Sequence, residues 1–152
     1  TAFPVEVPTA IGALLDFAGG ATALSTFSFQ ASRECVGVVE ISGTEGMLAL
    51  PDPNLFDGEV RVWRDGASDP ADARIHPAVG PTFSRGAGVV ELARAIRAGR
   101  PERASGALAY HVLDVMVAIA EAAAHGGSVT VTSTVEPSPV LPDDWDPAAA
   151  TL

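Results

Sequence analysis

The chain reads as an α+β domain: a mainly antiparallel, open β-sheet with helices packed on one face. Three observations predict this class. Short alternating segments, separated by Gly, Pro and Asn clusters, fill residues 5–64. Two segments of helical period then follow each other at 88–98 and 106–124. A last alternating segment lies at 128–132. Strands grouped before helices point to α+β rather than to a doubly wound parallel sheet.

Each element has its own signal. In 5–17, Val5, Val7, Ile11, Ala13, Leu15 and Phe17 fall on one face and Glu6, Ala10, Gly12 and Asp16 on the other, which predicts a strand. Pro8 places an edge or bulge there. Ala18-Gly19-Gly20 predicts a hairpin turn, because glycine supplies positive φ without strain. Residues 21–32 form the returning strand, 35–41 a Val-rich third, 47–50 a short fourth and 59–64 a fifth. Residues 65–84 lack periodicity and read as a long loop. In the first helix Val89, Leu92, Ala93 and Ile96 form the apolar stripe, while Glu91, Arg94 and Arg97 face water. Gly99 and Pro101 stop it, and Ser105 caps the second helix. There Leu108, Val112, Val115 and Ile119 form one stripe that Leu113, Met116, Ala120 and Ala123 widen, so burial on more than one side is expected. The Pro- and Ala-rich residues 143–152 read as a loose tail beyond a domain at 1–142.

Composition narrows the function. The 152 residues are 47% hydrophobic, enough for one domain with a core. Net charge is −10 and all nine basic residues are scattered arginines, so nucleic acid is not an expected partner. Without any Lys, the chain offers no Schiff base, lysine acid or P-loop lysine. Its single Cys35, in an apolar strand, forms no internal disulfide, and a reducing cytoplasmic setting is the expectation. The best apolar run, 112–124, contains Asp114 and Glu121 and is short for a bilayer span, so no membrane is expected. No signal peptide is visible, and the initial Thr1 suggests a fragment.

Few residues invite chemistry. His111 and Asp114 stand three apart on the second helix, the spacing of an Asp-oriented general base or of a simple hydrogen bond on one helix face. His111 and His125 are separated by about 21 Å along that helix and cannot share a metal. Arg85 before Gly86 and Gly88 offers a small anion site. As a dinucleotide fingerprint that stretch fails, because Glu91 stands where the third glycine belongs. Phe27, Phe29 and Trp63 read as packing residues.

Four motifs nevertheless carry a resemblance: P-T-A-I-G-A-L-L-D-F-A-G-G-A at 8–21, I-S-G-T-E-G-M-L-A-L-P-D-P-N at 41–54, A-I-R-A-G-R-P-E-R-A-S-G at 95–106 and H-V-L-D-V-M-V-A-I at 111–119. In this order and spacing they resemble the C-terminal domain of the glucose-fructose oxidoreductase / inositol dehydrogenase / MocA-like oxidoreductases, over most of 5–142. The resemblance implies a dihydrodipicolinate-reductase-like sheet that serves substrate placement and oligomer contacts in an NAD(P)-dependent enzyme acting on a sugar, cyclitol or similar polyol. It also implies that the N-terminal Rossmann domain, the Glu-Lys-Pro motif and the catalytic Asp-x-x-x-His helix lie outside this chain. No catalytic, cofactor-binding or metal residue carries over, and NAD or NADP belongs to the full-length enzyme.

The sheet face left open by the helices is the expected partner surface. Rows with Ile11, Leu15, Phe27 and Phe29 are expected under the helices. Gly12, Leu14, Leu24, Thr26, Ser28 and Gln30 then face outward, and two copies pairing there bury each other's leucines. The alternatives are a stand-alone sugar-binding or dimerisation module, and a hydrolase built on His111 and Asp114. Placing a charge at Val115 or Ile119 tests the helix assignment: Val115→Asp or Ile119→Asp is expected to abolish the cooperative thermal melt. A native-like melt removes the second helix from the core.

Overall fold

The computed structural model describes residues 4–30, 39–67, 69–77 and 85–149. They divide into two compact units, Thr1–Cys35 with Ser105–Glu136, and Val36–Ala104 with Pro137–Leu152. The α+β class holds, with antiparallel pairing throughout. Where one sheet is expected, the described residues form two hydrogen-bonded ladders. Cys35, the start of the third strand and the end of the 65–84 loop lie outside the described residues.

The first unit opens with a hairpin, β1 (Ala10–Asp16) and β2 (Thr22–Ser28), in a register that sets Leu14 opposite Leu24. Phe17 N donates to Ala21 O at 2.9 Å and Gly20, at φ +86°, donates to Phe17 O at 2.8 Å, which closes the loop. Side chains alternate across a strand, and so does burial: Ile11, Ala13, Leu15, Ala23 and Ser25 are half-buried while Gly12, Leu14, Leu24 and Thr26 are exposed. A 20-residue helix, Gly106–His125, lies against β1. Ser105 Oγ accepts from Leu108 N at 3.1 Å and so caps it. Gly126 and Gly127, both at positive φ, end it.

That long helix is covered on one stripe only, Leu108, His111, Val115, Ala118, Ile119 and Ala122. The expected second buried side, Leu113, Met116, Ala120 and Ala123, is exposed, and so is Val112 of the expected main stripe. Phe27 and Phe29 are exposed as well, because the helix lies against β1 and leaves the second half of β2 uncovered. The helix also meets the length and apolarity of a bilayer span, with mean hydropathy 1.5, where a shorter run was expected. The expected strand at 128–132 joins no ladder among the described residues. Burial does alternate at Val131, Ser133 and Val135, as along a strand.

The second unit contains a four-stranded antiparallel meander: β3 (Val39–Gly43), β4 (Gly46–Leu50), β5 (Glu59–Arg64) and β6 (Arg74–Pro77). Its registers place Ile41, Leu48 and Val62 in one row and Ser42, Met47 and Trp63 in a row on the opposite face. Gly46 is required where it stands. A Cβ there would lie 2.0 Å from Trp63 O, and its φ of +147° strains other residues. The fourth strand, β6, corrects the expected 65–84 loop. Arg74-Ile75-His76-Pro77 has one aliphatic residue and so no period to read; pairing with β5 makes it a strand.

The shorter helix of this unit, α1 (Ala87–Ala98), inverts the expected orientation. The longer helix is α2 hereafter. The apolar stripe of α1 is uncovered, with Val89 and Ile96 each 70% exposed. Burial instead follows Ala87, Val90, Glu91, Arg94 and Ala95, with Glu91 at 5% and Ala95 at 0% exposure. The cause lies in the chain after the helix. Gly99 adopts the left-handed conformation at φ 61°; its N–H reaches Ile96 O and the Arg100 N–H reaches Ala95 O, a Schellman stop. This reversal turns the next arginines back onto Glu91. Arg100 Nη1 donates to Glu91 Oε1 at 2.6 Å, Arg103 Nη1 to the same oxygen at 2.7 Å and Arg103 N to Oε2 at 3.1 Å.

Residues 137–149, expected to be loose from 143 onward, are held on this edge of α1. Arg103 donates to Pro139 O at 3.0 Å and to Val140 O at 3.3 Å. Arg94 donates to Asp146 O, Pro147 O and Ala149 O at 2.7, 3.1 and 2.8 Å, and its guanidinium lies 5.1 Å from the Trp145 ring centre.

The hydrogen bond from Arg100 above all, with those from Arg103, holds the Glu91 carboxyl at about 2 against 4.5 unperturbed; burial opposes them. A depressed carboxyl contributes stability above its unfolded value and loses it as pH falls through the folded one. The share due to Glu91 is therefore complete above pH 4.5 and declines toward pH 2. Glu91→Gln is expected to lower stability by about 1.5–3 kcal/mol at neutral pH. Urea melts of both proteins across that acid range should show the difference shrinking as pH drops. A difference that stays constant removes the ionised carboxylate from the account.

Candidate functional site

The outward rows of the β1–β2 hairpin form the surface that sequence singled out. Register places Gly12 opposite Thr26 and Ala10 opposite Ser28, on the same face as the Leu14–Leu24 pair. Leu14 is 71% and Leu24 82% exposed. Gln30 lies one step beyond the ladder. Its N–H donates to Ser28 Oγ at 3.1 Å and its Nε2 donates to Thr9 Oγ1, while Phe29 N bonds to Thr9 O at 2.8 Å. These bonds fix the open end of the hairpin. Two leucines directly opposite each other on an antiparallel pair, flanked by Gly12 and Thr26 on one side and by Asp16 and Thr22 on the other, make an apolar strip with a polar border. Such a strip can bury itself against another surface. Its one carboxylate, Asp16, stands at the turn end of the face.

His111 and Asp114 do meet, through a residue that sequence spacing did not reveal. His111 Nδ1 lies 2.8 Å from Ser133 Oγ, and Ser133 N donates to Asp114 Oδ2 at 3.1 Å. Asp114 is held below the ordinary carboxylate range, first by the Ser133 hydroxyl and then by its backbone N–H, with the neighbouring His111 adding a smaller pull. Serine, histidine and aspartate thus converge, yet the order is not that of a nucleophile. In a working triad the carboxylate orients the imidazole and the imidazole takes the serine proton. Here both the acid and the base contact Ser133, so the carboxylate competes for the hydroxyl proton. The cluster ties 128–135 to α2. No sequence signal points to Ser133, since the link spans 22 positions and depends on the turn at Gly126 and Gly127.

Other candidates resolve into structure. Arg85 Nη2 donates to Asn54 Oδ1 at 2.8 Å, which ties the start of α1 to the connection between β4 and β5. The helix behind it starts at Gly86, φ 106°, without a side-chain cap. His125 Nδ1 lies 3.1 Å from Glu121 O in the last turn of α2. Trp63 lines an open hollow with Ser42, Met47 and Asp69. Among the described residues, no three His, Cys, Asp or Glu side chains are grouped to hold a metal.

No protein-family model matches the chain, and no curated protein and no solved structure matches it.

The Ser133 link has a measurable signature. Ser133→Ala is expected to raise the Asp114 titration toward the usual carboxylate value and to lower stability. Carboxyl-carbon NMR through an acid titration reads the first and a urea melt the second. An Asp114 titration that does not move places its stabilisation elsewhere.

Proposed function

We propose that this chain is the substrate-side and oligomerisation domain of an NAD(P)-dependent oxidoreductase of the glucose-fructose oxidoreductase / inositol dehydrogenase / MocA-like kind, with a dihydrodipicolinate-reductase-like fold. The enzyme acts on a sugar, cyclitol or similar polyol, in the cytoplasm, and its dinucleotide and catalytic lysine come from a preceding Rossmann domain. The observation that carries this reading is the set of four motifs at 8–21, 41–54, 95–106 and 111–119, in one order and spacing. The exposed Leu14–Leu24 pair supports the assembly role, since a second copy supplies its missing cover. A carboxylate at Asp114, midway along α2, favours a water-soluble setting, because a charge at that depth of a bilayer is costly.

The alternative is a stand-alone sugar-binding or dimerisation module, and for dimerisation the same leucine face suffices. The two readings differ in what the chain needs upstream. In the first, the coding sequence before Thr1 encodes a glycine-rich strand–turn–helix and a Glu-Lys-Pro. The protein made with that segment oxidises a polyol with NAD or NADP, while the 152-residue chain alone leaves NADH and NADPH fluorescence unchanged. Micromolar binding of either cofactor to the chain alone overturns it. Tight polyol binding by the chain alone, seen by calorimetry, selects the module. Sedimentation equilibrium tests the assembly role in both: self-association at micromolar concentration, abolished by Leu24→Glu. A strict monomer, or a dimer indifferent to that change, removes the leucine face from the interface.

A further inference from the structure

The edge of α1 that carries Arg94 and Arg103 recognises residues 137–149 almost wholly through the main chain. The two guanidinium groups donate to five carbonyls, those of Pro139, Val140, Asp146, Pro147 and Ala149. One further bond runs the other way, from Ser138 Oγ to Arg103 O at 2.6 Å. The Arg94 guanidinium also lies over the Trp145 ring. The bound segment suits such readers. Pro137, Pro139, Pro142 and Pro147 lack an N–H, so at these positions the carbonyl is the only main-chain group on offer, and their fixed φ keeps the segment out of helix and sheet. Local turns, Trp145 N to Pro142 O at 3.0 Å and Ala148 N to Asp146 Oδ1 at 2.8 Å, bunch the last three carbonyls around one guanidinium. On the receptor side Glu91 takes one donor of Arg103 and the backbone N–H beside it, which aims the remaining donors outward.

We propose that this edge of α1 is a peptide-binding surface for a proline-bearing, turn-forming segment, filled here by the chain's own residues 137–149. Val140 is 88% exposed while Leu141, Trp145 and Pro147 are half-buried, and the segment joins no ladder among the described residues. Directed hydrogen bonds carry much of its hold, and such bonds can be exchanged. Recognition through carbonyls makes the surface tolerant of side-chain identity wherever the prolines, Ser138, Trp145 and Asp146 keep their places.

The experiment keeps the full chain and cuts it once. A protease site is inserted between Glu136 and Pro137, both exposed, and the folded protein is cleaved. A fluorescein-labelled synthetic peptide of residues 137–152 is then added and its anisotropy followed. Saturable exchange into the cleaved protein is expected. Binding should weaken by about tenfold in Arg94→Ala, the loss expected for charged hydrogen bonds, and be restored only in part by Arg94→Lys, which keeps the charge and loses the fork. Arg94 stands apart from the Glu91 cluster, and unchanged far-UV circular dichroism confirms that its variants fold. A peptide in which the prolines, Ser138, Trp145 and Asp146 keep their places and the other residues are shuffled should bind within a few-fold of the native one. Absence of saturable binding to the cleaved protein, wild-type affinity in Arg94→Ala, or loss of binding on shuffling each overturns the proposal.

Discussion

A single carboxylate organises the second unit. Glu91 is nearly buried on a helix whose apolar stripe is exposed, an arrangement that would be unstable without compensation. Both oxygens are met, one by two guanidinium groups and the other by a backbone N–H. A charge so enclosed is weak evidence of net stability but strong evidence of geometry, because removing either partner leaves the other buried and unpaired. The turn at Gly99 fixes the arginines, the arginines fix Glu91, and the outward side of Arg103 fixes the chain's last stretch. Arg94, one turn further along α1, extends the same edge without touching the carboxylate.

The consequence is an unusual distribution of apolar surface. In each unit a helix presents side chains such as Val89 and Ile96, or Leu113 and Met116, that nothing within that unit covers. The hairpin adds Leu14 and Leu24. Large exposed apolar areas on a folded chain are a common mark of contact surfaces. The polar clusters of Glu91 and of Ser133 set the positions of elements whose apolar sides are left uncovered.

Much of the local structure was legible before any coordinates. β5 was read to the residue at Glu59–Arg64, because E-V-R-V-W-R alternates between clear limits. The Ser105 cap and the Gly99 stop follow from side-chain chemistry that acts over three or four positions. What was illegible acts over longer spans. Periodicity marks the apolar side of α1 but not which side is covered, and the covering comes from residues 100–103 and 137–149. Backbone carbonyls leave no trace in composition, so a segment held by them reads as loose. Ser133 reaches His111 and Asp114 only once the glycines at 126 and 127 reverse the chain. β6 borrows its strand character from β5. The exposed Leu14–Leu24 face is a case between these: alternation places both residues on one side, and the hairpin turn alone decides that they stand opposite each other.

Arg103 is also the last cationic side chain before the C-terminus; the chain has no lysine, and its nine arginines all lie at or before that position. The remainder carries Asp114, Glu121, Glu136, Asp143, Asp144 and Asp146 against no arginine. An arginine-specific protease therefore finds nothing to cut in α2 or in the segment beyond it. Digestion releases them together as one long acidic fragment, and cutting after Arg103 in the folded state requires that its hydrogen bonds to Glu91 and to Pro139 first be broken. The order in which arginine sites open to such an enzyme thus reports, without labels or mutations, on which of the two clasps along α1 gives way first.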